Sequence, residues 1–432
     1  MGIINAVYKF FQLKERETNI KTEFFAGFAI FLAMLYAIPV NAEILSHAGM
    51  PKGAIVTAVI LITALATFAT GIYANTPIAM SVGMGLNTYF TYEIVENFGV
   101  PWQQALGIVF ASGVFFFIVS FGNFREWILK AIPINLRVAL CVGIGVFLAV
   151  VGLKGIGFFV LKNDNLLLGN IKDPQTILAI FGILLILVLY VKKVLATFIL
   201  GIAIVSIVGF SLGFAEMPKT IISLPASLAP IAFELDIVGI LKFSFIPIIL
   251  SLMIADLFDS LGTLSAVGVK AKMFQKDEDE DLVKTLRVDA LATMGGSVLG
   301  VSTTTSFLES VSGVAQGGKT GLTAVFTALF FLSTLFFLPL FLSVPSFAIY
   351  PILVVVGCAM FLEIGKLDFA DLPSSIASFF VIVLMSLTTS ISAGLSAGFL
   401  VYLLLCITLK QWNRINLGLL FICALSAMYF IL

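Results

Sequence analysis

Residues 301–313 read VSTTTSFLESVSG, a run of Ser and Thr that leads to the carboxylate Glu309. Apolar residues flank this run, and the stretch that follows at 322–342 is LTAVFTALFFLSTLFFLPLFL. A hydrocarbon environment offers no water to polar side chains or to unpaired backbone groups. The run therefore predicts that a membrane-embedded helix is interrupted here.

The rest of the chain is strongly apolar as well. Of its 432 residues, 60% are hydrophobic and 11% are charged, and the mean hydropathy is +1.14. Apolar stretches of about 17–25 residues recur, each long enough to cross a hydrocarbon layer of ~30 Å. Segments in lipid must satisfy their backbone groups internally, so these stretches are expected to be helices. The sequence predicts an all-α, multi-pass membrane protein.

Composition excludes several other classes of protein. The net charge is zero and no basic tract occurs, so nucleic-acid binding has no electrostatic basis. One histidine and four widely spaced cysteines do not form a metal-site pattern, and we expect neither a metal nor a cofactor. An intramembrane aspartyl protease needs two acids from different segments, whereas Asp256 and Asp259 share one predicted helix. We expect no catalytic residues and no enzyme activity.

The apolar stretches predict fourteen membrane spans and one further hydrophobic segment. The spans lie near 22–41, 52–73, 79–97, 101–121, 135–153, 174–190, 194–213, 245–268, 284–300, 303–316, 320–341, 346–362, 371–388 and 392–409. The further segment, 415–431, is either an extra span or part of a broken pair. Basic residues at 9, 14, 16 and 21 precede the first span and favour a cytoplasmic N-terminus, in a plasma membrane or a bacterial inner membrane.

The third and tenth spans are interrupted in the same way. They read AMSVGMGLNTYFTYEIV (79–95) and GVSTTTSFLESVSGVAQGG (300–318), and both are polar and contain glycine. Asn87 and Glu309 lie 222 residues apart in these segments, and the same offset maps the first span onto the eighth. Seven spans before the restart predict two repeats of inverted topology, with a binding site where the interrupted segments meet. The alternative is that these polar residues only hold neighbouring helices together.

Three carboxylates are the main candidates for this site. Asp256 and Asp259 lie three residues apart, on one face of the eighth span. Each costs ~2.5–3.5 kcal/mol in hydrocarbon, so an unused pair would be expensive, and one of the two is expected to hold a proton near neutrality. Glu309 repeats the situation in the tenth span, and Asn87 adds an amide from the third. Such donors and acceptors suit a small polar heterocycle.

Other acids and aromatic residues receive lesser roles. Asp289 is expected to cap or pin the ninth span near the cytoplasmic edge. Glu43, Glu93 and Glu96 lie near span ends and are expected to be interfacial. Three aromatic residues beside the candidate site could stack on a ring, namely Tyr89, Phe90 and Phe307.

Four motifs resemble one known family. MGLNTYF (84–90), DLFDSLGTL (256–264), STTTSFLESVSGV (302–314) and GGKTGLTAV (317–325) are similar, in this order, to the adenine/guanine/hypoxanthine permease branch of the nucleobase–cation symporters. The uracil and xanthine branches typically carry a glutamate where this chain has its Asp pair. The resemblance implies import of purine nucleobases by symport with a proton, or with sodium as the alternative. A homodimer is expected by analogy.

The resemblance also implies a layout of domains. Residues 22–121 and 245–341 would form a core domain, and residues 122–215 and 342–432 a gate domain. Residues 1–21 would be a cytoplasmic segment and 216–244 a linker. In the third and tenth spans a short strand would lead into a half-helix, with STTTS (302–306) as the second strand and FLESVSGVA (307–315) as its half-helix.

The family pattern, carried onto this chain, implies a set of site residues. Residues at or next to the purine would be Ala37, Gly85, Asn87, Asp256, Asp259, Thr305, Ser306, Phe307 and Glu309. Ala37 matches Asp259 by the 222-residue offset and would offer backbone groups, whereas Glu309 and Asp259 would carry the proton. Two alternatives stay open: a symporter for another nucleobase such as uracil or xanthine, and an anion transporter or channel on a related inverted-repeat fold.

Overall fold

The computed structural model describes residues 2–121, 131–162, 165–274 and 279–431, and they form a helical membrane protein. Nine helices within these ranges are long and apolar enough to cross a bilayer, which confirms the predicted class. The expected start of the gate domain at residue 122 lies outside the described residues. The segment at 415–431, left open by the sequence, contains a helix, Leu417–Ile431, that packs against the preceding helix and against Ile246–Ala271.

Each half contains one interrupted segment, in which a short strand follows a long helix and leads into a short helix. The first half contains helices Gly2–Phe10, Ile20–Met34, Ala37–Ser46, Lys52–Ala69, Met84–Thr88, Trp102–Val119, Ile134–Gly155, Pro174–Val191 and Thr197–Ser211, with π-helical turns Thr70–Ala74 and Tyr89–Asn97. The second contains Ile246–Ala271, Glu280–Leu299, Ser310–Ala315, Gly321–Ser333, Leu338–Leu342, Ser346–Phe361, Leu372–Thr388, Ile391–Thr408 and Leu417–Ile431. The strands are Met80–Val82, Phe159–Lys162, Asn165–Leu168 and Thr304–Ser306.

The long helices pack in two groups. The first group comprises Ile20–Met34, Lys52–Ala69, Trp102–Val119, Glu280–Leu299 and Gly321–Ser333. The second group comprises Ile134–Gly155, Pro174–Val191, Ser346–Phe361, Leu372–Thr388 and Ile391–Thr408. Helix Ile246–Ala271 packs against members of both groups. Its polar residues contact helix Glu280–Leu299 and strand Thr304–Ser306.

The first span is broken in its middle, which the sequence analysis did not predict. Regular helical hydrogen bonding ends at Met34 and resumes at Ala37, while Leu35 and Tyr36 between them keep right-handed helical backbone angles. The break is therefore a kink within one continuous span, Ile20–Ser46. Pro39 explains the break, because proline lacks an N–H group and its ring clashes with the carbonyl four residues earlier, here that of Leu35. Tyr36 is thereby placed at the break, and it is fully buried.

The two interrupted segments meet through their strands. Met80–Val82 pairs antiparallel with Thr304–Ser306, with Ser81 opposite Thr305. Two flanking backbone bonds extend the pairing: the Phe307 amide donates to the Ala79 carbonyl at 2.9 Å, and the Gly83 amide donates to the Thr303 carbonyl at 3.0 Å. The two strands that the family resemblance implies are therefore present. The second half-helix begins at Ser310 rather than at 307, because residues 307–309 first form a tight turn.

One buried threonine holds each strand in an equivalent way. The Thr67 hydroxyl donates to the carbonyl of Met80 at 3.0 Å and accepts from its amide at 3.0 Å. The Thr293 hydroxyl makes the same two bonds to Thr304, at 2.9 and 3.2 Å. Hydroxyls therefore satisfy backbone groups that no helix satisfies, which answers why Ser and Thr lie in this hydrophobic chain.

A buried carboxylate, Glu23, caps helix Gly321–Ser333. Glu23 accepts hydrogen bonds from the amides of Lys319, Thr320 and Thr323 and from the hydroxyls of both threonines. These amides belong to the first turn of the helix and the loop before it, where backbone acceptors are scarce. Of the three, the Thr323 amide also donates to the carbonyl of Thr320, at 3.2 Å. Since a carboxylate at a helix N-terminus also complements the helix dipole, Glu23 fixes the first span to the eleventh.

We predict that Glu23→Ala lowers the free energy of unfolding by about 3 kcal/mol, because it leaves several buried donors without an acceptor. The measurement is denaturation of the purified protein in detergent, and the control is Glu15→Ala, which removes an exposed acid nearby. Equal stability of the two variants would contradict the capping role.

Candidate functional site

The two acids of helix Ile246–Ala271 have different surroundings. Asp256 is fully buried, and its Oδ2 lies 3.0 Å from the Thr293 hydroxyl, whose proton it shares with the Thr304 carbonyl, whereas its Oδ1 has no partner. Asp259 is half-buried and accepts from the Thr305 hydroxyl at 3.3 Å. Asp256 therefore contacts strand Thr304–Ser306 indirectly, through Thr293 in the protein interior. Asp259 contacts the same strand on a side that is partly accessible.

Asp289 belongs to the same cluster, and its predicted role at the cytoplasmic edge was wrong. It is fully buried on helix Glu280–Leu299, and its Oδ2 accepts a hydrogen bond from Ser260 and a weaker one from Ser306 at 3.4 Å. Its Oδ1 has no partner. Asp289 lies four residues before Thr293, so both side chains lie on one helical face and reach strand Thr304–Ser306 together.

Hydroxyl groups connect Asp289 with Asp259. The Ser260 hydroxyl is in hydrogen-bond contact with Asp289 and lies 2.8 Å from the Thr305 hydroxyl, which is in contact with Asp259. These four side chains form a continuous row, in which each hydroxyl donates to one neighbour and accepts from the other. Beside strand Met80–Val82, Thr63 and Ser81 form a neutral hydroxyl pair at 2.6 Å.

Glu309 lies directly before helix Ser310–Ala315 and is half-buried. Its carboxylate accepts a short hydrogen bond, 2.5 Å, from the hydroxyl of Tyr36 at the break of the first span. The Tyr36 ring lies 4.5 Å from the ring of Phe198, which belongs to helix Thr197–Ser211 of the second packing group. The charge of Glu309 also acts on Asp259, so the two acids share one electrostatic environment.

Asn87 lies on the first half-helix, but it binds none of the described carboxylates. Its amide nitrogen donates to Asn41 at 2.9 Å, and the Asn41 amide donates to the carbonyl of Val82 at 2.8 Å. The Asn87 Oδ1 is buried without a partner, which leaves one acceptor available. Asn41 therefore links Asn87, on the half-helix, to the backbone of strand Met80–Val82.

The remaining predicted residues contribute mainly through the backbone or through packing. Phe307 is buried and its amide belongs to the strand pairing, and Ala37 follows Tyr36 as the first residue of its helix. Gly85 lies against helix Ile134–Gly155, where a Cβ atom would stand 2.5 Å from Ile144. A side chain at this position would therefore push the half-helix away from helix Ile134–Gly155. Thr305 and Ser306 bind the cluster as described above.

Sequence reasoning missed Asn41 and Tyr36 and gave Asp289 the wrong role. The charge of Asp289 within a predicted span and the amide of Asn41 in IPVNAEIL were signals that could have indicated their place. Tyr36 gave no signal, because its role depends on a break whose position relative to Glu309 only the fold establishes. Tyr89 and Phe90, which were predicted to stack on a ligand, are fully buried, and the Tyr89 hydroxyl is 2.6 Å from Ser392.

The site is rich in oxygen atoms, and its ionisable side chains are acids. The charged side chains that define it are carboxylates, joined by hydroxyls and one free amide oxygen. Within the described residues, no group of three or more His, Cys, Asp and Glu side chains could hold a metal ion. The arrangement can accept hydrogen bonds from a neutral polar molecule and can bind protons.

Comparison with known proteins gives consistent results. A model described as "Permease family" matches residues 21–397. A putative permease of Methanocaldococcus jannaschii is 40% identical over 416 residues, which cover 96% of this chain and 95% of the relative. The adenine permease AdeQ of Escherichia coli is 34% identical, covering 98% and 96%, and the guanine/hypoxanthine permease PbuO of Bacillus subtilis is 34% identical, covering 94% and 96%. The resemblance seen in the motifs is confirmed.

Solved structures support the fold. The transmembrane domain of a cyanobacterial bicarbonate transporter, BicA, has a TM-score of 0.66 at 16% identity, covering 88% of this chain and 97% of that chain. Murine Slc26a9, an anion transporter in the inward-facing state, has a TM-score of 0.65 at 13% identity, covering 90% and 69%. At this level of identity the likeness concerns the fold alone.

We predict that Thr293→Val destabilises the protein more than Thr67→Val, by about 1–2 kcal/mol. Both changes remove the same two bonds to a strand, but only Thr293→Val also leaves Asp256 without a donor. Thermal denaturation of both variants in detergent measures the difference. Adding Asp256→Asn should recover part of the loss in the Thr293 variant. Equal destabilisation by Thr293→Val and Thr67→Val would contradict the assigned role of Asp256.

Proposed function

Because this chain belongs to the Permease family and is a transporter rather than an enzyme, we propose that it imports purine nucleobases by proton symport. The candidate substrates are adenine, guanine and hypoxanthine, the bases named for relatives that match nearly its whole length. The observation that carries the proposal is the pair of half-buried acids, Asp259 and Glu309, held beside the paired strands by Thr305 and Tyr36. We place the protein in a plasma membrane or a bacterial inner membrane, with its N-terminus in the cytoplasm.

The chemistry of the site suits a neutral base. A purine presents N–H donors and ring-nitrogen or carbonyl acceptors along one edge, and carboxylates and an amide can pair with both kinds of group. Asp259, Glu309 and the free Oδ1 of Asn87 supply acceptors, and a protonated acid or a backbone amide supplies a donor. An anion transporter on the same fold is disfavoured, because carboxylates would repel its substrate.

Proton coupling follows from the buried acids. A proton that enters with a neutral base carries one positive charge, and a membrane potential of 100 mV contributes about 2.3 kcal/mol to its entry. Since about 1.4 kcal/mol corresponds to a tenfold ratio, this supports roughly fifty-fold accumulation. Glu309 and Asp259 are the proposed proton carriers, and the same acids could bind sodium in the alternative mechanism.

The hydroxyl row gives the proton a path between acids. Asp289, Ser260, Thr305 and Asp259 are in continuous hydrogen-bond contact. When Asp289 is protonated it donates to Ser260, Ser260 donates to Thr305, and Thr305 donates to Asp259. A proton released by Asp259 when substrate binds is then replaced as each bond passes one proton along, and Asp289 is left ionised. Asp289 would then serve as a proton reservoir behind the site.

Transport also requires the site to face each side in turn. We propose that the first packing group is the core domain, residues 22–121 and 245–341, and that the second is the gate domain, residues 122–215 and 342–432. Fourteen spans in two inverted repeats of seven would then move as two bodies, with the site between them. The matching strand clamps at Thr67 and Thr293 support the repeat.

Uptake of labelled adenine, guanine, hypoxanthine and uracil tests the function, in cells lacking their own purine permeases, with and without a protonophore. We expect concentrative uptake of at least one purine that collapses with the protonophore. Purine uptake that follows a sodium gradient instead would retain the substrate and change the coupled ion. Uptake of uracil alone would favour the alternative substrate, and absence of all uptake would contradict the proposal.

We predict that Glu309→Gln abolishes concentrative uptake, because the amide cannot exchange a proton. The accumulation ratio at steady state is the measurement. Glu280→Gln removes an exposed acid paired with Lys284 and should accumulate substrate normally. Normal accumulation by the Glu309 variant would rule out its role as proton carrier.

Ser260→Ala is predicted to slow transport about tenfold while purine affinity stays within about twofold, because the change cuts the row between Asp289 and Asp259 without removing an acid. Initial rates and binding by the purified protein separate these effects. The matched control is Ser297→Ala, which removes a buried hydroxyl bonded only to the carbonyl of Met294, in its own helix. A loss of affinity with unchanged maximal rate would contradict the path.

A further inference from the structure

Glu93 is a buried acid that the proposed site does not use. Sequence reasoning placed it at the membrane interface, but it is fully buried in the π-helical turn Tyr89–Asn97. Its partners lie across the boundary between the two packing groups. Its Oε2 accepts from the amide of Ile391 at 2.9 Å, and its Oε1 accepts from the Ser390 hydroxyl and from Tyr429 at 3.4 Å.

These partners stabilise the ionised form of the carboxylate in this conformation. An amide and two hydroxyls donate to it, and the amide belongs to the first turn of helix Ile391–Thr408, where the helix dipole favours negative charge. Within the described chain, no Lys, Arg or His forms an ion pair with Glu93. Tyr89, on its own segment, and Tyr429, on the last helix, are the titratable side chains whose charges it acts on.

The donors and the acid belong to different bodies. Glu93 lies on the proposed core domain, whereas the three donors belong to segments of the proposed gate domain. Any displacement of one body against the other at this end must therefore take all three donors away together. A carboxylate that loses its donors binds a proton more readily, because hydrogen bonds to the charged form no longer stabilise it.

Two other hydrogen bonds between the two bodies at this end join uncharged groups. The Tyr89 hydroxyl pairs with Ser392 at 2.6 Å, and the amide of Asn97 donates to Thr389 at 3.4 Å. These bonds can be exchanged for water when the bodies separate, without a change of charge. Glu93 is the contact at this boundary whose breaking is linked to proton binding.

We propose that Glu93 is a second proton-binding site, coupled to separation of the core and gate domains rather than to the substrate. The ionised acid latches the two bodies together at this end, and protonation releases them. In the proposed orientation this end faces outside, where the proton concentration that drives import is the higher. The inference rests on the proposed two-domain movement and adds to it a group that senses the proton directly.

Distance measurement across the latch tests this inference. Spin labels at Phe98 and Leu387, two exposed residues on opposite sides of the boundary, report separation in a variant whose four cysteines are replaced. We expect a short distance at pH 8 and a growing population of longer distances toward pH 5. Glu93→Gln, which resembles the protonated acid, should show the longer distances at both pH values and keep purine affinity within about twofold.

Two further variants separate Glu93 from other acids. Glu96→Gln removes the exposed acid one turn away and should titrate like the unmodified protein. Tyr429→Phe removes one donor and should move the pH midpoint of separation upward by about half a unit or more. An unchanged pH response in the Glu93 variant, or a distance that does not depend on pH in the unmodified protein, would overturn the inference. Purine uptake assayed on the same preparations shows independently whether the transport proposal fails.

Discussion

The pairing of strand Met80–Val82 with strand Thr304–Ser306 is the interaction on which the rest of the structure depends. In the hydrocarbon layer an unpaired amide or carbonyl costs several kcal/mol, so a chain can leave the helical state only where other groups satisfy its backbone. Here the two halves satisfy each other, and Thr67 and Thr293 satisfy what remains. This mutual backbone pairing interrupts two helices at the same depth in the membrane. It also places side chains from both halves beside one another.

This constraint also explains where the charge lies. Beside strand Met80–Val82 the hydroxyls of Thr63 and Ser81 form a neutral pair, whereas the contacts of strand Thr304–Ser306 include the acid Asp289. Each acid is held by hydroxyl donors rather than by a base, so its charge is tolerated but not neutralised. An acid held in this way can exchange a proton at small cost, which is what a coupled carrier requires.

Much of the fold could be predicted from the sequence, because its signals are local. Hydrophobic length identified the spans, and the Ser/Thr run and glycines identified both interrupted segments. The role of Asp289 could not be predicted, since its partners Ser260 and Ser306 come from other segments. Glu93 was misplaced because nearness to a span end suggests exposure, whereas the last two helices cover it. Tyr36 depends on the break that Pro39 creates, and its contact with Glu309 spans 273 residues of sequence.

The central claim is that the acids beside the paired strands couple one proton to one neutral purine. Proteoliposomes with an imposed membrane potential test it most directly, through the steady-state ratio of internal to external purine. The account predicts a tenfold increase in this ratio for about every 60 mV, with no requirement for sodium. A ratio that stays at unity at every potential, or that follows a sodium gradient instead, would contradict it.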